Sequence, residues 1–512
     1  MKHLKNFAAN LYPDKKNFFF LAENHPFVPI VAELPLEKNK SSIGIFIDLF
    51  YRYKHSFLLD SGKGQKNISR YSFLGGNPFL TFNYHNHVAT ICKNGQTTSD
   101  RSDPIKSLSK ILEEYKTSYF SYIPHFFGGG VGYFSYNMVC YLDAFPSPKN
   151  DDFLFPDINF IFLDDLVVID HFENKVKFIC LANTNKNRID QIYTNSIRQL
   201  LDRINQYLLL PCKGENLSFR KTIKDKKSFK SNVNKQEFED MVRQAKKYIK
   251  DGDIYQVNLS RQFKVEFEGN PMTLFQYLRQ INPSPFSAFL KFDDTFIICS
   301  SPERLVKVYK NSIETRPIAG TRPRGKTISQ DKLLSHELLL NEKEKAEHLM
   351  LVDLERNDLG RICEYGTVEV DELMNLEKYS HVWHIVSNIS GRLKNNIKLK
   401  ELLTACFPGG TITGCPKIRS AEIIHELEHI SRGPYTGSLG YIGFSGEVDL
   451  NIIIRTILIK NDTAFLQVGA GIVADSDPEQ EFYETYKKAE AMLIALQCIK
   501  NIPVKTTFKT KH

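Results

Sequence analysis

The chain has 512 residues, 42% of them hydrophobic and 25% charged, with a formal net charge of +8. This is the balance of a soluble globular protein long enough for two or more domains, not of a disordered or fibrous chain. The charge is mild and spread out, which fits small anionic substrates and speaks against nucleic acid, and no apolar run reaches membrane-span length. Nine cysteines, among them Cys92, Cys140, Cys299 and Cys415, form no CxxC pair and no His pairing at zinc spacing, so they read as reduced thiols. The opening MKHLKNFAANLYPDKK lacks an apolar core of signal-peptide length, and the expected location is the cytoplasm.

Residues 1–212 are aromatic-rich and predict mostly short strands. SFLLDS and RYSFLGGNPFLTF are strand-like, the second broken at Gly75, Gly76 and Pro78. FFGGGVGYFSY sets three glycines before an aromatic strand. It lacks the GK[ST] ending of a phosphate loop, and reads as a close backbone crossing in a sheet. INFIFLDDLVVIDH and KVKFICLA predict a hairpin pair, and IDQIYTNSIRQLLDRINQYL a helix. The polar residues 213–236 read as a linker, which leaves 237–500 as a second domain and 501–512 as a tail.

The second part opens with a predicted helix, EFEDMVRQAKKYIKDGD, with an apolar stripe at Phe238, Met241, Val242, Ala245 and Ile249 and a stop at Gly252. In DIYQVNLSRQFKVEF, Tyr255, Val257 and Leu259 alternate with Gln256, Asn258 and Ser260, the period of a strand. Gln256 and Asn258 then face away from the apolar row, where solvent is the ordinary occupant. Strands follow at FSAFLKF, TFIICSS and RLVKVYK, with SPER and its Glu303 between two of them. The stretch IETRPIAGTRPRG reads as a turn at Gly320 and Thr321, ringed by Arg316, Arg322 and Arg324, a setting that suits a carboxylate. After a polar run, NEKEKAEHLMLVDLERND predicts a helix with Glu347, Leu351 and Leu354 on one face. A carboxylate on a buried face needs a partner, and a divalent cation is a good one; a solvated charged face is the plainer account.

KYSHVWHIVSNISG holds His381 and His384 three residues apart. On a helix they would share a face as metal ligands can, but HVWHIVS favours a strand, which argues against zinc. CFPGGTITGCPK is a turn with the hydroxyls of Thr411 and Thr413, ahead of the helix IRSAEIIHELE. YTGSLGYIGF and LNIIIRTILI read as strands, the second with Arg455 inside its apolar run. A buried Arg requires an anionic partner, either an internal carboxylate or a substrate. VGAGIVADS reads as a glycine turn, and EQEFYETYKKAEAMLIALQCI as a closing helix with Glu481 and Glu484 near its start.

In this order the blocks IYQVNLSR, SPER, TRPIAGTRPRG, AEHLMLVDLERNDLGR, YSHVWHIVS, FPGGTITGCPKIR, IIIRT and GAGIVADS resemble the chorismate-utilising enzymes, and among them component I of aminodeoxychorismate synthase and of anthranilate synthase. LLDS, RYSFLG and GGGVGYFSY are similar to the accessory region of the same family. The resemblance implies an α+β fold with large antiparallel sheets packed face to face and helices outside. It also implies chorismate as substrate and a separate glutamine amidotransferase subunit as the source of ammonia. No nucleophilic-Cys amidotransferase module is recognisable in this chain. By motif, the family's Mg2+ ligands fall on Glu347 and Glu484. One substrate carboxylate is expected at Tyr435, Arg455 and the amides of Gly469, Ala470 and Gly471, with Gly320, Thr321 and Thr413 in the same pocket. Glu303 takes the general-acid position and His384 matches an active-site histidine near the ring.

Gln256 stands where water-adding members of the family carry a lysine base, and a neutral amide cannot deprotonate water. That points to amination. FPGGTITG and the LERNDLGR to EKYSHVWHIVSN run resemble the aminodeoxychorismate branch, whose product is 4-amino-4-deoxychorismate, a precursor of para-aminobenzoate and folate. Ala319 in PIAGT stands where many members of that branch carry a lysine, and matches anthranilate synthases. Anthranilate is therefore the alternative product. A non-catalytic aromatic-binding relic is a third reading, opposed by the joint presence of Glu303, Glu347 and Glu484. LLDS falls where anthranilate synthases carry part of an inhibitor site, with Asp60 in place of their usual Glu.

Overall fold

The computed structural model describes residues 11–61, 69–142, 145, 149, 155–185, 188–210, 229–378 and 382–499. The expected linker lies outside them as far as residue 228, as do His381 and the tail 501–512. Two large antiparallel sheets, of 13 and 12 strands, carry the fold, with long helices packed against them. The expected α+β class is what the chain adopts. Both sheets draw strands from either side of residue 212. In the larger sheet His55–Asp60 pairs with Phe286–Phe292. In the smaller, Gly129–Phe134 pairs with Ser438–Gly443.

The strands flanking that second seam explain the glycine run. Gly132 lies directly opposite Gly440. A Cβ on Gly132 would meet the Asn159 carbonyl at 2.0 Å, and one on Gly440 the Asp449 carbonyl at 1.9 Å. The run is thus a strand held close to its neighbours within one sheet, as expected, and not a phosphate loop. Gly132→Ala is expected to destabilise the protein by about 1–3 kcal/mol through overpacking, seen as a lower urea midpoint; an unchanged midpoint would contradict this contact.

The long periodic helices form as predicted. Lys235–Lys250 starts at a capping box of Asn234 and Glu237, buries Phe238, Met241, Val242 and Ala245, and ends before Gly252, whose φ is +84°. Glu342–Ile362 is capped by the Asn341 side chain, and Pro478–Cys498 by Asp477 with Pro478 in the first turn.

Several expected elements differ. INFIFLDDLVVIDH is a hairpin arm only in its second half: Asp165–Asp170 pairs with Lys175–Asn183 in the larger sheet as expected, whereas Ile158–Leu163 belongs to the smaller, the chain changing sheets at Asp164. LNIIIRTILI splits likewise into Val448–Ile452 and Thr456–Lys460, in different sheets. Arg455 is at the bend between them with φ +50°, not inside a strand. The polar run after Arg324 contains a helix, Ile328–Leu340. IETRPIAGTRPRG is two strands, Ser312–Arg316 and Ile318–Pro323, both paired with Val382–Arg392. Gly320 is a bulge in the second, at φ +67°. VGAGI continues the strand Thr463–Ile472 and makes no turn. No described helix is long and apolar enough to cross a membrane.

Candidate active site

Two sheet-to-sheet crossings lie side by side and hold the chemistry. Pro302 and Glu303 link Thr295–Ser301 of the larger sheet to Arg304–Tyr309 of the smaller. Residues Ile453 to Arg455 make the reverse crossing, and the Ile452 N–H donates to the Glu303 carbonyl at 3.0 Å. Glu303 is buried, and burial pushes its carboxyl up to about 7. Thr411, the Ile318 amide and the charges of Arg455 and Lys488 pull in the other direction. One carboxyl oxygen, Oε1, is buried with no hydrogen-bond partner among the described residues.

His384 lies across from Thr321 in the sheet, and its Nδ1 is 3.0 Å from Thr321 Oγ1 and 3.2 Å from the Gly320 carbonyl. A carbonyl only accepts, so Nδ1 carries the proton and the lone pair is on Nε2. Burial, aided by the Arg455 charge, drives this imidazole down to about 3, so it is neutral. Arg455 therefore stands electrostatically beside both Glu303 and His384.

The third wall is the strand Gln256–Glu266, paired with Thr463–Ile472. Val257 and Leu259 are fully buried as the alternation requires, whereas Tyr255 is 69% exposed. The opposite row is not wet. Gln256 is buried, and its Nε2 donates to Glu347 Oε1 at 2.9 Å while its Oε1 has no partner among the described residues. Asn258 Oδ1 is likewise buried and unpartnered among the described residues. Two glycines make room for these amides. A Cβ on Gly471 would lie 2.8 Å from Gln256 Nε2, and one on Gly469 would lie 2.3 Å from Asn258 Oδ1 and 2.9 Å from Tyr435 Oη. Thr456–Lys460 pairs with this strand only as far as Leu466, so among the described residues no strand covers that edge of residues 467–472. Ala470 turns its methyl into the core under the helices and offers the site backbone only. Thr413 is fully buried; its hydroxyl donates to the Gly409 carbonyl at 2.9 Å and its own carbonyl takes the Asn258 N–H.

Glu347 and Glu484 come from separate helices and influence one another electrostatically. Burial raises the Glu347 carboxyl, with Glu344 and Glu484 adding repulsion. The Lys488 charge lowers that of Glu484, with which it pairs at 2.9 Å. Among the described residues no group of three or more His, Cys, Asp or Glu could hold a metal. A cation here would rest on two carboxylates and take its remaining oxygens from water or substrate, which is how Mg2+ is usually held.

The arginines around Gly320 do not form the expected open cradle. Arg316 pairs with Glu377 and Glu372, Arg322 with Glu344 and Glu337, and Arg324 with Asp331. Sequence reasoning also missed Lys488. Its Nζ bridges Glu484 and the Gly469 carbonyl, the latter at 3.0 Å. The i, i+4 spacing from Glu484 was its one signal. Asn258 and the Thr411 hydroxyl are named in the sequence pattern but carry no site role there. A cavity of about 530 Å³ lies elsewhere, walled by Asp60, Arg70, Phe286, Arg304 and Asp449. There Asp60 is fully engaged by Arg279, Ser42 and Ser72.

Residues 54–494 match the family model described as chorismate binding enzyme. The chain belongs to the chorismate-binding enzymes. It is 40% identical over 493 residues to anthranilate synthase component 1 of Acetivibrio thermocellus, covering 95% of this chain and 98% of that one. It is also 40% identical over 470 residues to aminodeoxychorismate synthase component 1 of Bacillus subtilis, covering 92% and 97%. The crystal structure of anthranilate synthase component I from Streptococcus pneumoniae superposes with a TM-score of 0.73 at 34% identity, covering 90% of this chain and 98% of that chain. As a chorismate-binding enzyme, this chain brings Gln256, Glu303, Glu347, His384, Tyr435, Arg455, Gly469, Gly471 and Glu484 around one region, through the contacts and charge interactions given above.

Proposed function

We propose that this chain aminates chorismate at the 4-position with ammonia from a separate glutamine amidotransferase subunit, giving 4-amino-4-deoxychorismate. The observation that carries the choice of nucleophile is Gln256. Its amide nitrogen is spent on Glu347, while its Oε1 is a buried acceptor without a partner. Such an acceptor can orient the N–H of ammonia but cannot take a proton from water. Glu303, raised to about 7 by burial and so still substantially protonated near neutral pH, protonates the departing ring hydroxyl so that it leaves as water. Arg455 and the open strand edge at Gly469 to Gly471 bind one substrate carboxylate, with Tyr435 beside them. Neutral His384 lies against the ring and contributes its Nε2 lone pair. Glu347 and Glu484 would hold Mg2+, which neutralises the second carboxylate and draws electrons from the ring.

Ala319 favours a second reading, anthranilate. It is buried opposite Ile385 and offers no nucleophile, so a covalent route through that position is closed. Chromatography with fluorescence detection decides between the two. With chorismate, ammonium and Mg2+, para-aminobenzoate is expected only after aminodeoxychorismate lyase is added; ortho-aminobenzoate formed without the lyase would overturn the reading. The chain alone is expected to use ammonium and not glutamine, so glutamine-dependent turnover without a partner would contradict the separate subunit.

A further inference from the structure

The face of Glu342–Ile362 that carries Glu347 also carries a carboxyl that the site described above does not use. Glu355 is buried, and among the described residues it makes no ion pair. Its Oε2 lies 2.6 Å from Thr315 Oγ1, and the same hydroxyl oxygen lies 2.8 Å from the Leu305 carbonyl. A threonine hydroxyl has one proton, and a carbonyl can only accept. Both short contacts are satisfied together when Thr315 donates to Leu305 and Glu355 donates to Thr315. For that, Glu355 must carry a proton.

The surroundings agree. Asp358, on the same helix, is tied to Lys417 at 2.6 Å, and the Lys417 charge reaches Glu355 without an ion pair to it. Glu303 faces Glu355 from the crossing loop, Thr315 from its strand, and Cys406 from the end of Leu399–Cys406. Burial raises the Glu355 carboxyl well above its ordinary value, with the Glu303 and Asp358 charges adding to this and the Thr315 contact and the Lys417 charge pulling the other way. A carboxylate buried there with no ion pair among the described residues would be costly, and the neutral acid is not.

We propose that Glu355 is a positioning residue for Glu303, a permanently neutral carboxylic acid that anchors, through Thr315, the Leu305 carbonyl two residues along the chain. The inference rests on the reading of Glu303 as the acid. Its consequence is that no fixed anion stands behind Glu303. The ionisation of Glu303 then answers mainly to burial and to Thr411, Ile318, Arg455 and Lys488.

The test is infrared difference spectroscopy of the full chain across pH, alongside kcat/KM profiles. A protonated-carboxyl band is expected to persist above the pH at which Glu303 ionises, to vanish in Glu355→Gln, and to remain in Glu303→Gln. Thr315→Val should shift its frequency, which reports on the contact without altering the acid. Glu355→Ala should lower kcat/KM roughly tenfold, the size of one lost buried hydrogen bond. Glu355→Gln, a neutral donor, should restore most of that with the alkaline limb in place. Absence of the band, no shift in Thr315→Val, or a Gln variant whose alkaline limb moves down by a pH unit, as loss of a neighbouring anion would cause, each overturns the proposal. Were Glu303 not the acid, the band would survive while the kinetic limb failed to track Glu303, so the two failures are distinguishable.

Discussion

Glu303→Gln is expected to slow turnover roughly 10²-fold or more with the fold unchanged. The amide keeps the size and most hydrogen bonds of the carboxyl but has no proton to give to a leaving hydroxyl. A loss of that size is about 2.7 kcal/mol of transition-state stabilisation. The pH profile supplies the sign. Burial raises Glu303 to about 7, so the acid form predominates below that pH and is depleted above it. Wild-type kcat/KM should therefore fall on an alkaline limb that starts near neutrality, about tenfold per pH unit, since this ratio reports the free enzyme. In Glu303→Gln that limb should disappear along with the rate. A near-normal rate for the amide, or an unchanged limb, would remove Glu303 from the role.

What the sequence could reveal about this site depended on how local the cause was. Glu347 was legible because helix periodicity placed it with Leu351 on a buried face, and the helix forms there. Gln256 was legible as a strand residue, but its surroundings were not. The opposite row is dry because Gly469 and Gly471, more than 200 residues away, leave space for it. Arg455 was misplaced for a different reason. The run from Ile452 to Ile459 is apolar on both sides of it, and each side is buried in its own sheet, so no composition change marks the crossing. A non-glycine residue at φ +50° gives no turn signal either. Around Gly320 the opposite error arose. Pro317, Gly320 and Pro323 look like a turn, but pairing with Val382–Arg392 absorbs the glycine as a bulge. The neighbouring arginines, read as anion ligands, are neutralised by carboxylates distant in sequence. Charge in a sequence does not say which charges are already paired.

Glu484→Ala should abolish turnover, and Glu347→Ala should do the same, at Mg2+ concentrations that saturate the wild type. The two carboxylates belong to helices that start at residues 342 and 478, and each bears on the other electrostatically. Glu484 is half-exposed on its helix, so removing it leaves little cavity and no orphaned core group. Loss of activity with an unchanged circular dichroism spectrum and unfolding midpoint in metal-free buffer would therefore report on the site and not on the fold. A ligand that binds only the native state raises stability in proportion to the logarithm of its concentration over Kd. Mg2+ should thus raise the unfolding temperature of the wild type, and that increment should be lost in both variants. Lys488 provides an internal control. It pairs with Glu484 and with the Gly469 carbonyl, so an added cation must draw Glu484 away from it. Lys488→Met should then leave Mg2+ binding as tight as in the wild type or tighter, even where turnover falls. Full activity of Glu484→Ala in excess chelator, or Mg2+-dependent stabilisation that persists without both carboxylates, would place the cation elsewhere.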